Sequence, residues 1–186
     1  MSWTLGFWIG AAVLLFWAVG AYNRLIRLRA AALQAFVALE ARLREQTELV
    51  QACLPPSAVP QAAQEDDLLD DMASLWNGLG GAAAQFNASL AAARARPLDA
   101  EAIAALQAAQ GVLYMAWHRL QQDDAHDLAG AALPETLQLR WQQIEAHVQS
   151  DAALFRQQVE TYNDAIAQFP ALVLARLFSL RPARPL

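Results

Sequence analysis

The sequence predicts an all-α protein, in which an N-terminal transmembrane helix continues into an antiparallel up-down four-helix bundle and a short C-terminal helical segment follows. Three observations predict this class. The chain opens with a long uncharged apolar run, its later apolar residues recur at steps of three and four, and no stretch shows the alternation of a β-strand. The predicted divisions are an anchor over residues 1–22, a bundle over 23–170 and an apolar, basic segment over 171–186.

The predicted anchor, residues 3–22, reads WTLGFWIGAAVLLFWAVGAY and carries no charge. About 20 residues of helix span about 30 Å, the thickness of the hydrocarbon core of a bilayer. Tryptophan and tyrosine near both ends favour the membrane interfaces. A cleaved signal peptide is the alternative, because Ala18 and Gly20 fit a small-residue cleavage pattern. No Lys or Arg precedes the apolar run, which favours an uncleaved anchor.

The residues after the anchor predict its orientation. Arg24, Arg27 and Arg29 follow the apolar run directly, while only Met1 and Ser2 precede it. The positive-inside rule therefore predicts a single-pass protein of the inner membrane, with its N-terminus outside and its C-terminal domain in the cytoplasm. The single cysteine cannot form an intrachain disulfide, which is compatible with a reducing compartment.

Prolines, a cap and acidic residues delimit the helices of the soluble part. The first helix continues from the anchor and is expected to end at Pro55 and Pro56, since proline interrupts the helical hydrogen-bond ladder. A second helix is predicted to start near Glu65, with a break or kink at the glycines of residues 78–81. Asp99 is predicted to cap the start of a third helix.

A fourth helix is predicted to start at Pro134 and to carry the most regular apolar stripe, which reaches Phe169 before Pro170. Tyr162 falls in that stripe and its hydroxyl would need a partner. Asn163 beside it is expected to bond across helices, which is a structural role rather than a binding one. Short links between four helices of similar length favour antiparallel neighbours in a bundle.

Charge is sorted by end in this topology. Arginines are predicted to collect near the membrane: Arg24, Arg27, Arg29, Arg94, Arg96, Arg176, Arg181 and Arg184. Acidic residues are predicted to collect at the opposite end: Glu65, Asp66, Asp67, Asp70, Asp71, Asp123, Asp124 and Asp127. Basic residues beside an anionic leaflet are the favourable arrangement. The apolar stretch over 171–180 would lie near the membrane too, where it either enters the interface or closes the open end of the bundle.

No group of residues in the sequence has the pattern of a catalytic, cofactor or metal site. His118, His126 and His147 have no partner histidine at helical ligand spacing, and Asp123 with His126 is only half of a carboxylate-bridged iron motif. Glycines occur without the lysine of a phosphate-binding loop. The net charge of −5 argues against a nucleic-acid partner. We therefore predict no enzyme activity, no cofactor and no metal.

Two stretches carry a family resemblance. YNRLIRLR over residues 22–29, followed by Ala35 and Phe36, and VETYNDAIAQFPALVLARLF over residues 159–178 resemble the LemA family. The second stretch matches the closing pattern of that family, YN, a spaced Phe-Pro and a short apolar run. The resemblance implies an N-terminal anchor and a cytoplasmic helical bundle, and it carries over no catalytic residue.

The expected function is a scaffold or adaptor at the membrane, with the lipid bilayer and either another protein or a second copy of the chain as partners. A rigid bundle, a membrane address and the lack of a reaction centre motivate this prediction. A ligand-sensing bundle is the alternative, which a buried polar pocket between helices would favour. A metal-dependent enzyme comes last, and a cavity lined by His118 and neighbouring carboxylates would favour it.

Overall fold

The computed structural model describes residues 2–54, 67–122, 134–169 and 171–186, and that part of the chain is helical without a strand. It contains five helices: α1 (Ser2–Cys53), α2 (Asp67–Ala95), α3 (Ala100–Gln122), α4 (Glu135–Ala167) and α5 (Ala171–Leu177). The predicted all-α class, with a helical bundle and a short C-terminal helix, is confirmed.

Helix α1 has two halves with different surroundings. Its N-terminal half projects beyond the other helices and exposes large apolar side chains: Phe7, Trp8, Ile9, Val13, Leu14, Leu15, Phe16, Trp17 and Val19. From Leu25 onward the helix buries one face in the bundle, where Phe36 is fully enclosed. Among the described residues, α1 is the one helix long and apolar enough to cross a membrane.

The core is formed by two antiparallel helix pairs, α1 with α4 and α2 with α3, which meet mainly where α1 packs on α2. Phe36 of α1 and Phe155 of α4 stack edge to face with ring centroids 5.6 Å apart. Arg42 reaches Asp151 across the same pair at 3.6 Å. The apolar residues that recur at steps of three and four along each helix fill the space between the pairs.

The α2–α3 hairpin is displaced along the bundle, away from the N-terminal end of α1. A Cβ on Gly80 would lie 3.7 Å from a methyl group of Leu54, and Arg94 lies 3.7 Å from Glu40. Position 94 of α2 is therefore level with position 40 of α1, which is about 27 Å from Tyr22 at ~1.5 Å per residue. The prediction that Arg94 and Arg96 gather with Arg24, Arg27 and Arg29 at one end of the bundle is wrong, because it assumed helices aligned end to end.

One predicted helix boundary is confirmed, and two other features differ from the prediction. The amide N–H of Ala102 donates to Asp99 Oδ1 at 2.9 Å, which confirms the predicted cap of α3. Helix α2 continues without interruption through Gly78–Gly81, because packing outweighs a helix cost of about 1 kcal/mol per glycine. Phe169 lies outside α4 and is 78 % exposed, because the residue before proline is driven out of the helical conformation.

Several predictions fall on residues outside the described part of the chain. These are the loop between α1 and α2 with its prolines, the acidic residues Glu65, Asp66, Asp123, Asp124 and Asp127, and His126. The predicted gathering of acidic charge at the end of the bundle stays a prediction.

Candidate functional site

A groove of about 600 Å³ opens between α3 and α4. These two neighbours approach each other less closely than α1 with α4, α2 with α3 or α1 with α2. Helix α3 lines the groove with Gln107, Gln110, Gly111, Tyr114 and His118, and α4 with Glu145, Val148, Gln149, Ala152, Ala153 and Arg156. Leu186 closes one end. The groove joins two helices in the described residues, and it is the candidate site.

Aromatic side chains hold the two helices apart. The indoles of Trp117 and Trp141 stack with centroids 4.3 Å apart and planes 15° from parallel. Tyr114 meets Trp141 edge to face at 5.6 Å. Both tryptophans are fully buried, so their volume sets the distance between the two backbones at this level. Farther along, Gly111 and Ala152 are too small to fill that distance, and the gap between the helices stays open.

Polar atoms are buried near Tyr114, one of the residues that line the groove. Gln46 of α1 is completely buried, and within the described part of the chain its amide makes no regular hydrogen bond; the same holds for Nε1 of Trp117 and of Trp141. Burial raises the pKa of the Tyr114 hydroxyl, and the neighbouring Gln46 amide partly lowers it again. Gln46 therefore lies close to the Tyr114 oxygen without ideal geometry. Each unsatisfied buried polar group costs about 1–3 kcal/mol.

Titratable side chains in the groove are few. His118 is exposed and Glu145 is half-buried. Glu145 also raises the pKa of Tyr114, a smaller effect than burial. In residues 2–54, 67–122, 134–169 and 171–186 no group of three or more His, Cys, Asp and Glu side chains could hold a metal. His147 is exposed, and burial raises the pKa of the Cys53 thiol. The absence of a catalytic, cofactor or metal site stays a prediction.

The C-terminal segment is held against α4 by hydrogen bonds to its backbone. Asn163 Nδ2 donates to the carbonyl of Ala183 at 2.8 Å, and the amide of Ala183 donates to Asn163 Oδ1 at 2.9 Å. The Tyr162 hydroxyl donates to the carbonyl of Arg181 at 3.3 Å. Arg156 donates to the Leu186 carbonyl at 3.1 Å. Asn163 thus forms its hydrogen bonds with a non-helical segment. The prediction that it bonds to another helix is wrong.

Those bonds bring Leu186, at the end of the segment, into the lining of the candidate site. Ala183 and Leu186 are buried, and Leu186 faces the groove beside Arg156. Burial raises the pKa of Tyr162, which Arg29 of α1 partly offsets. The structural roles of Tyr162 and Asn163 were predicted from the sequence, whereas Arg156, Leu186 and Gly111 were not. Of these three residues, only Gly111 could have been noticed in the sequence, because it is a glycine in the middle of a predicted helix.

Comparison of the sequence with known families identifies the family to which the chain is similar. The sequence model of the LemA family matches residues 59–186, which include α2 to α5 and the segment bonded to Asn163. The stretch over 159–178 lies inside the match, whereas the stretch over 22–29 precedes it. No curated protein and no solved structure matches the chain. Because the match covers more than half of its length, the chain belongs to the LemA family.

Proposed function

We propose that this protein is a membrane-tethered adaptor, in which α1 anchors the chain and the α3–α4 groove binds a helix of a second protein. The open groove carries the proposal, because α3 and α4 leave between them a channel that neither side fills. Residues 145–156 of α4 border it over about 16 Å, room for three turns of a docked helix. Amphipathic helices bind in such grooves through their apolar face.

The lining favours a helix that is apolar on one face and polar at its edges. Val148, Ala152 and the ring of Tyr114 give apolar surface, while glutamines, Glu145 and Arg156 border it. A Cβ added at Gly111 would meet no atom within 4 Å, so nothing in the described chain requires glycine there. Glycine in a helix costs about 1 kcal/mol relative to alanine and permits close approach of another backbone.

Photo-cross-linking in native membranes tests the groove. A benzoyl-phenylalanine is placed at Gln107 or Gln149, which are exposed and line the groove, and at Gln85, an exposed glutamine of α2 outside it. The proposal expects a discrete product from the two groove positions and none from the control. Mass spectrometry then shows whether the product holds a foreign protein or a second copy of the chain. Equal products at all three positions would contradict a groove-specific partner.

Filling the groove gives a second, independent test. Gly111→Leu adds a side chain where open space exists, so the fold should tolerate it. Gly81→Leu is the matched control, because Gly81 is also exposed and also has open space at its Cβ position but lies on α2. We expect Gly111→Leu to abolish the product from Gln149 and Gly81→Leu to leave it. Retention of the product in Gly111→Leu would refute docking in the groove.

Inner-membrane location with a cytoplasmic bundle is part of the proposal. The arginines after the apolar run and the exposed apolar half of α1 support it. Cys53 is a poor reporter of orientation, because its thiol is half-buried with a raised pKa. A Cys53→Ser, Met115→Cys variant moves the thiol to an exposed position. Labelling of that variant by an impermeant maleimide in intact cells would place the bundle outside and refute this orientation.

Ligand sensing is a second candidate, favoured by the buried polar atoms of Gln46, Trp117 and Trp141. A small polar molecule would reach these donors and the Gln46 acceptor by entering behind Tyr114, because none of the three residues lines the groove itself. Native mass spectrometry of the protein, purified in mild detergent, tests this candidate. A small molecule retained by the wild type and lost in Gln46→Leu would support sensing. The bare mass in both proteins would leave the adaptor as the only candidate.

A further inference from the structure

We propose that Phe169 and residues 171–178 form a second membrane-binding element, which inserts into the headgroup region of an anionic bilayer beside the point where α1 leaves it. The inference rests on α1 crossing the membrane, but not on the groove or its partner. It adds a lipid-binding surface to the soluble part of the chain.

The pattern of burial in this segment is the reverse of that in a water-soluble surface helix. Alanines face inward, since Ala171 and Ala175 are the two buried residues of α5. The large apolar side chains face outward: Phe169, Leu172, Val173, Leu177 and Phe178. Small residues allow close packing of helices, whereas a contiguous exposed apolar patch in water is unfavourable. This distribution is stable where the outer surroundings are lipid.

Contacts with α1 indicate how deep this segment would lie in the bilayer. The ring of Phe169 lies 6.0 Å from that of Trp17, and the ring of Phe178 lies 4.8 Å from that of Tyr22. Trp17 is five residues before Tyr22, where the apolar run ends. At ~1.5 Å per residue, Trp17, against which Phe169 packs, lies about 7.5 Å closer to the centre of the bilayer than Tyr22 does. Amphipathic helices at an interface insert to about 5–10 Å.

Exposed arginines lie near the patch along the chain. Arg24 and Arg27 of α1 and Arg176 of α5 are exposed at this end, and Arg181 is exposed just beyond it. A crevice of about 430 Å³ lies between α1 on one side and Ala165, Gln168 and Ala171 on the other, with Phe16, Gly20 and Phe169 in its walls and Arg24 among its lining residues. Apolar walls beside a guanidinium suit the acyl chain and phosphate of an anionic phospholipid.

Spin-label accessibility on the full chain tests the proposal with matched positions. In a Cys53→Ser background, single cysteines replace Val19 in the apolar run, Val37 in the bundle and Val173 in α5. All three valines are more than half exposed. The labelled proteins are reconstituted into vesicles of phosphatidylcholine and phosphatidylglycerol. Accessibility to oxygen, which concentrates in lipid, is compared with accessibility to a water-soluble nickel chelate.

We expect the ratio of oxygen to nickel accessibility at positions 19 and 173 to exceed that at position 37 several-fold. Position 37 is a suitable aqueous control because it lies about 22 Å beyond Tyr22 along α1. Arg176→Gln should lower the ratio at position 173 and leave position 19 unchanged. A ratio at position 173 equal to that at position 37, with position 19 in lipid, overturns the inference but keeps the anchor. Water-like ratios at all three positions overturn both.

Discussion

Removal of the Asn163 side chain is the most direct perturbation of residues 181–186, the C-terminal tail. Among the described residues, Asn163 is the only one whose side chain both donates a hydrogen bond to the backbone of the tail and accepts one from it. Its partners are the carbonyl and the amide N–H of Ala183. Asn163→Ala therefore deletes two hydrogen bonds and changes little else, because Asn163 is only half-buried.

The expected magnitude follows from those contacts. Each hydrogen bond contributes about 1 kcal/mol net, so the loss is about 2 kcal/mol. Alanine has a better helix propensity than asparagine by about 0.5 kcal/mol, which leaves a net destabilisation of about 1.5 kcal/mol. The buried backbone of Ala183 would lose still more if it stayed unbonded in place, so we expect residues 181–186 to detach. For a domain of this size the melting temperature should fall by about 3–6 °C.

Thermal unfolding in mild detergent, followed by circular dichroism, measures the effect. Asn87→Ala is the matched control, because Asn87 is a half-buried helical asparagine of α2 without a hydrogen bond to the tail. The same substitution is also made in a chain that lacks residues 181–186. There Asn163→Ala should no longer destabilise, since its partner is gone, and the gain in helix propensity alone should remain.

Two results would refute this reasoning. An unchanged melting temperature in Asn163→Ala would mean that the two hydrogen bonds contribute nothing net. An equal loss in the full and the shortened chain would mean that Asn163 acts within α4 and not through the tail. Increased proteolysis of residues 181–186 in Asn163→Ala, without a change in the bundle, would locate the effect in the tail directly.

Three further changes test other parts of the structure. Gly111→Ala should stabilise the bundle by about 1 kcal/mol, because the added Cβ meets no atom within 4 Å, and denaturant unfolding measures it. Asp99→Ala should destabilise by about 1 kcal/mol in the same assay, since the amide of Ala102 loses its cap. Burial raises the pKa of Tyr114 and Tyr162 in the folded chain. The stability that comes from these two protonated phenols is therefore fully present below the unfolded pKa of about 10, and it is lost as the pH rises through the folded pKa. Melting temperatures across the alkaline range should fall less steeply in Tyr114→Phe than in the wild type.

Each of these has a result that contradicts it. A loss of stability in Gly111→Ala would show that the groove is narrower than described. No change in Asp99→Ala, with Asp99→Asn equally neutral, would show that the carboxylate does not cap α3. An identical alkaline profile in Tyr114→Phe would show that the buried phenol titrates alike in the folded and unfolded chain.

The sequence by itself determined the features that depend on residues close in the chain. The uncharged run before Arg24, the three-and-four spacing of apolar residues and the cap at Asp99 are local patterns, and each appears in the structure as predicted. They are readable because helix period, capping and proline effects act within one or two turns.

Only the tertiary structure decided how far the helices are displaced along each other and where the chain leaves a gap. The position of Arg94 beside Glu40, the groove beyond the Trp117–Trp141 stack and the bonds from Asn163 to Ala183 all join residues far apart in sequence. Apolar spacing specifies which face of a helix is buried, but a helix can slide along a neighbour by a whole turn and keep the same face buried. The volumes of the side chains that meet decide the displacement, and these become known only when the helices are packed together.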